Sequence, residues 1–344
     1  MRENSRTDVA GHVFYRKNAI ILAGLLLLVI AALLAGVSFG ASSKTSLSAF
    51  LRAWLSGDTK SSVYRIVVHS RLPRALGGML CGAALAVAGV ILQAVLQNPL
   101  AGPNTIGVSN GAGFLVLLCS AFFPEKAHLL PLAAFAGALV AAMTVFSLAM
   151  GSGMSKVTLV LAGVAMSSIL GAGMNCILIL DPDAYVGAST FLVGGLSSVT
   201  MKSLHFSMGY IGVGLLMAAL LRREMNIISL GEDAARALGM AIERTRFLLI
   251  LTAAILVGAA VSFCGMIGFV GLIIPHVFRF LIGNDHEMLI PCSALGGAAF
   301  VVLCDLASRV MFAPYEVPVG ILLSFIGGPF FIWLIMRSRR RQHG

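Results

Sequence analysis

Residues Arg71–Phe114 read RLPRALGGMLCGAALAVAGVILQAVLQNPLAGPNTIGVSNGAGF. Two arginines bracket a proline, and an apolar run rich in glycine and alanine follows. The run stops at Gln97-Asn98-Pro99-Leu100 and resumes at Ile106-Gly107, passing through Gly111-Ala112-Gly113. A polar, proline-broken interruption between two small-residue membrane spans survives only where it is buried in protein or lines a water-filled path. The stretch therefore predicts a polytopic membrane protein that moves something across the bilayer.

The composition agrees. The chain of 344 residues is 58% hydrophobic and 11% charged, with mean hydropathy +0.96, against about 25% charged residues in a soluble domain. Its 38 glycines suit close helix packing through small residues. The six cysteines, Cys81, Cys119, Cys176, Cys264, Cys292 and Cys304, have no paired metal spacing and lie in or beside apolar segments. They read as small buried hydrophobes. The net charge of +10 sits mostly in loops and tails, so it speaks to membrane topology and not to nucleic acid.

Ten apolar stretches suit membrane spans, each needing about 20 residues: 19–39, 75–96, 105–123, 129–150, 157–180, 206–221, 247–263, 267–282, 291–310 and 317–336. An even count puts both termini on one side. With the N-terminus inside, fifteen of the 24 Lys and Arg fall inside and nine outside, which favours cytoplasmic termini. Six of the nine outer charges crowd into residues 44–74. The expected organisation is all-α: one transmembrane domain over 1–344, with tails at 1–18 and 337–344 and a long inner loop at 222–246.

Several chemistries lack their residues. No Gly-Lys dipeptide occurs, so a Walker A phosphate loop is absent, and His286-Glu287 has no second histidine to complete HExxH. No nucleophile–base set supports a membrane enzyme. The charges within spans are few: Asp305, Arg309, and His276 with Arg279. Asp305 and Arg309 are four apart on one helix face and can pair. A proton relay through Asp305 would instead suit an ion-coupled secondary transporter. His276 reads as a packing or capping residue, because no second ligand stands at a useful spacing.

Four motifs follow in order along the chain. The first is Arg71-Leu72-Pro73-Arg74 through Ala101. The second is Leu230-Gly231-Glu232-Asp233-Ala234-Ala235-Arg236-Ala237-Leu238-Gly239. The third is Gly265-Met266-Ile267-Gly268-Phe269-Val270-Gly271-Leu272-Ile273-Ile274-Pro275-His276, closed by Arg279. The fourth is Asp305…Arg309, then Glu316-Val317-Pro318-Val319-Gly320 and Gly327-Gly328-Pro329-Phe330. Together they resemble the permease subunits of type II ABC importers (FecCD-like), which take up iron–siderophore complexes, haem and cobalamin. The resemblance spans about residues 60–336. One departure is Phe191-Leu192-Val193-Gly194-Gly195-Leu196, where related permeases often have a tryptophan-containing sequence ending in Gly-Ser.

The resemblance implies a type II importer permease fold working as a homodimer in the bacterial cytoplasmic (inner) membrane. It implies two ATPase subunits inside, an extracytoplasmic binding protein outside, and an iron chelate as cargo, with cobalamin as the alternative. It implies no cofactor on this chain, with ATP and Mg on the ATPase. The inner loop reads as a short helix with Ala234, Ala235 and Leu238 near one face and Gly239 as a stop. In the family this segment docks into the ATPase, which assigns coupling to Gly231, Glu232, Asp233, Ala234, Ala235, Leu238 and Gly239. Outer arginines of the family pair with glutamates of the binding protein, which assigns docking to Arg71, Arg74 and Arg309. Asn98, Pro99 and Leu100, with Ser155 and Lys156 in the loop Gly151–Lys156, would line the cytoplasmic gate.

Overall fold

The structure is a computed structural model. It describes residues 2–40, 52, 55–56, 60–151 and 155–340, without the side chains of 2–17, 335 and 337–340. Lys44 of the basic stretch expected outside, residues 152–154 of the second expected gate loop and residues 341–344 of the basic tail lie outside the described residues.

Among the described residues, regular structure is entirely helical. The elements are α1 (Arg2–Ser38), α2 (Ser62–Leu96), α3 (Val108–Phe122), α4 (Leu130–Gly151), α5 (Lys156–Leu180), α6 (Pro182–Val193) and α7 (Met201–Leu220). They continue as α8 (Arg222–Ile228), α9 (Glu232–Ala237), α10 (Ile242–Cys264), α11 (Val270–Ile282), α12 (His286–Val310) and α13 (Val319–Arg340). Seven of these helices are long and apolar enough to cross a membrane, and Val108–Phe122, Val270–Ile282 and Val319–Leu334 are shorter apolar helices. These ten match the ten expected stretches in order.

α2 is the most buried span, and α10, α11 and α12 pack around it. Its glycines make this possible. A Cβ on Gly82 would run into the carbonyl of Gly297 on α12, and a Cβ on Gly297 into that of Gly82. Gly89 meets Gly271 of α11 in the same way. Small residues let the backbones touch, which drives association where lipid offers no hydrophobic force. α1 lies against α12 through Val29, Ala32, Ala298, Ala299 and Val302.

Three features depart from the sequence reading. α2 begins at Ser62, so residues 62–74 are helix and not loop. Pro73 has no N–H to donate to the preceding turn. The helix takes a π turn over Val67–Arg71, in which Leu72 N–H reaches back to the carbonyl of Val67. Next, the connection 181–205 contains α6, started by Pro182 and by the Asp181 carboxylate, which accepts from Ala184 N–H. Finally, α11 has 13 residues. At 1.5 Å per residue it rises only about 20 Å, short of the roughly 30 Å hydrocarbon core. Gly265–Phe269 covers the remainder as irregular backbone, tied down inside the protein. Met266 N–H donates to Phe191 O at 2.9 Å, Gly195 N–H to Cys264 O at 2.8 Å, and Gly320 N–H to Gly194 O at 3.2 Å. Phe191–Leu196, the segment that departs from the family pattern, thus holds this crossing together.

Four of the cysteines are buried as expected, with Cys81 and Cys264 sulfurs 3.3 Å apart; Cys119 is half-buried and Cys176 is exposed.

Candidate functional site

The candidate sites lie at the two ends of the part of α2 that follows its π turn. Leu72–Leu96 has 25 residues, which separates the ends by about 37 Å.

At one end sit Arg71, Arg74 and Arg309. The sequence reading puts all three at an exposed surface. The structure corrects that exposure: they are 5%, 7% and 2% accessible. Arg74 Nε donates to both oxygens of Asp305, at 3.0 and 3.1 Å, and its Nη1 donates to Glu316 at 2.6 Å. Arg309 Nε lies 3.1 Å from Asp305 Oδ2, so the expected i,i+4 pair forms and Arg74 joins it. Further guanidinium N–H groups of Arg71 and Arg309 go to the end of α1. Arg309 donates to Phe39 O and Gly36 O, each at 3.2 Å, and Arg71 to Val37 O at 3.2 Å and Ser38 O at 2.8 Å. The last carbonyls of a helix have no partner within it and carry the negative pole of its dipole. Two arginines supply both needs. Three guanidiniums against two carboxylates leave this end net positive.

At the other end, α2 stops in a Schellman motif. Asn98 N–H reaches Gln93 O at 3.2 Å and Gln97 N–H reaches Ala94 O at 3.3 Å. Asn98 Oδ1 accepts from Leu100 N–H at 2.9 Å, bridging Pro99. Ser155 caps α5 by accepting from Thr158 N–H at 3.1 Å. Lys156 Nζ, next in sequence, donates to Gln97 Oε1 at 3.0 Å. The structure thus joins the end of α2 to the start of α5, the two segments expected to line a gate, through Gln97, a residue the sequence reading leaves without a role. Gln93 and Arg279 lie one turn deeper, joined at 3.2 Å. Gln93, Gln97, Asn98, Asn226, Arg279 and Asp285 are among the residues lining an open pocket there. His276 instead lies edge-on to Phe330, ring centroids 6.0 Å apart, a packing role.

Beside this pocket runs the 222–246 loop, through Asn226, Ser229 and Leu230. Gly231 (φ +110°) precedes α9 and Gly239 (φ +79°) follows it. Gly239 closes a second Schellman motif, Met240 N–H donating to Ala235 O at 3.0 Å. The face differs from the expected one. Ala235 is buried, while Asp233, Ala234 and Leu238 are exposed. Glu232 anchors the helix by accepting from the buried Arg246 at 2.5 Å. Ala234 and Leu238, four apart, present a small outward face, flanked by the exposed Leu230.

A sequence profile of the FecCD transport family matches residues 25–337. The chain belongs to the FecCD transport family. It is 39% identical over 324 residues to the iron(3+)-hydroxamate import system permease protein FhuB of Bacillus subtilis (strain 168), covering 93% of this chain and 84% of that one. It is 36% identical over 328 residues to the hemin transport system permease protein HmuU of Yersinia pestis, covering 93% and 96%. A solved metal-chelate-type ABC transporter in an inward-facing conformation superposes with a TM-score of 0.80 at 30% identity, covering 93% of this chain and 99% of that chain. This FecCD permease is accordingly a multi-pass, non-catalytic subunit with the type II ABC importer fold.

Two features of the candidate sites in the FecCD permease escape sequence reasoning. Glu316 is visible in the fourth motif, but its partner Arg74 lies 242 residues away. Gln97 gives one local signal: a non-glycine residue stands where the helix ends, just before Asn98-Pro99.

Proposed function

We propose that two copies of this FecCD permease form the translocation path of an ATP-driven importer for an iron chelate, a ferric siderophore or haem. Cobalamin is the alternative cargo within the family. The observation that carries this reading is the match over 93% of the chain to relatives named for iron(3+)-hydroxamate and hemin transport. Transport runs by alternating access. Two ATPase subunits, which carry ATP and Mg, dock on α9 through Asp233, Ala234 and Leu238, while Gly231 and Gly239 bound the helix, Glu232 anchors it to Arg246 and Ala235 packs inward. Asn98, Pro99, Leu100, Ser155 and Lys156 form the cytoplasmic gate.

A binding protein docks at the opposite end, where the net positive charge suits an acidic partner. Arg74 reaches that partner's carboxylate by exchanging it for Glu316, whose side chain is 42% accessible. Arg71 and Arg309 hold the surface in place. The Lys and Arg bias supports cytoplasmic termini in a bacterial inner membrane. Ion-coupled transport through Asp305 finds less support, because both carboxylate oxygens are held by arginines.

The test is uptake in proteoliposomes containing the permease with its cognate ATPase and binding protein, using labelled ferric hydroxamate, haem and cobalamin in parallel. ATP-dependent uptake of one chelate is expected. Uptake driven by an ion gradient with no ATPase present would overturn the reading.

A further inference from the structure

Gln97 occupies the C′ position of the Schellman motif that ends α2, at φ +47° and ψ +38°. Glycine is the usual residue there, because a Cβ is disfavoured in the left-handed region. Among the described residues only Gln97 and Phe269 are non-glycine residues with positive φ. A residue held against its backbone preference directs attention to its side chain.

That side chain has two partners from distant parts of the chain. Nε2 donates to the carbonyl of Ile228 at 2.7 Å. Oε1 accepts from Lys156 Nζ at 3.0 Å. An ammonium only donates and a carbonyl only accepts, so a single amide orientation satisfies both. Ile228 is the last residue of α8 and is fully buried. Its own carbonyl and the Ser229–Leu230 turn lead directly into Gly231 and α9. One glutamine therefore joins the end of α2, the start of α5 and the segment that enters the coupling helix.

We propose that Gln97 is the positioning residue that transmits displacement of the α8–α9 segment to the gate end of α2, so that ATPase-driven movement and gate movement occur as one event. This rests on the importer reading above. The arm to Ile228 carries the displacement, and the arm to Lys156 carries it on to the second gate segment.

Two substitutions separate this role from a structural one. Gln97→Glu keeps an acceptor for Lys156 but sets an oxygen against the Ile228 carbonyl. Gln97→Gly suits the backbone and removes both arms. The complete complex of permease, ATPase and binding protein is placed in proteoliposomes, and uptake of labelled ferric hydroxamate, haem and cobalamin is measured alongside phosphate release.

Both variants are expected to assemble and hydrolyse ATP, with the ratio of chelate taken up to ATP hydrolysed reduced about fivefold in Gln97→Glu, the factor carried by one hydrogen bond, and further in Gln97→Gly, which loses two. Gln97→Gly decides the matter if Gln97→Glu does not assemble. A wild-type ratio in Gln97→Gly overturns the proposal. Failure of Gln97→Gly to assemble with the ATPase also overturns it, because the side chain would then serve the fold alone. A wild-type complex that takes up none of the three chelates overturns the importer reading itself, whatever the variants do.

Discussion

Asp305 shows what a single residue carries in this permease. Its carboxylate is 2% accessible and faces two guanidiniums, Arg74 and Arg309. Removing one partner of a buried ion pair costs about 3–5 kcal/mol, because the remaining charge keeps its desolvation penalty and loses its compensation. Asp305→Asn is therefore expected to lower the thermal midpoint of the detergent-solubilised permease clearly. An unchanged midpoint would show that Glu316 and the α1 carbonyls suffice for both arginines. The sequence reading finds half of this cluster. Asp305 and Arg309 are four residues apart, and helical geometry alone brings them together. Arg74 stands 231 residues from Asp305, and no local rule spans that distance. Nor does any local rule reveal that Arg71 and Arg309 satisfy the carbonyl end of α1, so exposed docking is the natural reading of arginines at a span end.

Among the elements, α2 is the one whose sequence most nearly dictates its environment. Its glycines and alanines predict close neighbours, and the carbonyl contacts at Gly82 and Gly89 are those neighbours. Overpacking a fitted interface costs about 1–3 kcal/mol or more. Here the obstruction is backbone, which cannot swing aside as a side chain does. Gly82→Val is expected to abolish the monodisperse peak of purified permease in size-exclusion chromatography. Gly24→Val, at a position on α1 with open space around it, is the matched control and is expected to leave the peak intact. Equal behaviour of the two variants would refute the α2–α12 contact. α6 and the Gly265–Phe269 crossing are less legible. α6 is short, and its end is fixed by backbone bonds to segments 69 and more residues away in sequence. The third motif shows that glycines gather there without showing that the backbone leaves the helix.

At the scale of the whole molecule, burial is distributed unevenly. The membrane-spanning window of α2 is 89% buried, whereas that of α5 is 11% buried. α5 also begins at the proposed gate, with Lys156 bound to Gln97. A face left open beside the proposed path suits a second copy, and a closed twofold pair is the commonest oligomer. Light scattering of the solubilised permease, corrected for detergent, is expected to give twice the chain mass of 35.9 kDa. A single-chain mass would contradict the paired path.

The Arg74 cluster also has a history in time. Arg74 precedes Asp305 by 231 residues and Glu316 by 242. A ribosome adding about 5–20 residues per second takes roughly 10–50 s to cover that interval. The second span, ending at Leu96, is complete early in that interval, long before either acid exists. The carbonyls of residues 37 and 38, which Arg71 grips in the finished protein, have by then been made. The opening hairpin can thus be pinned by neutral oxygens while its charges await their counterparts, and the late arrival of the ninth span closes a cluster begun by the second.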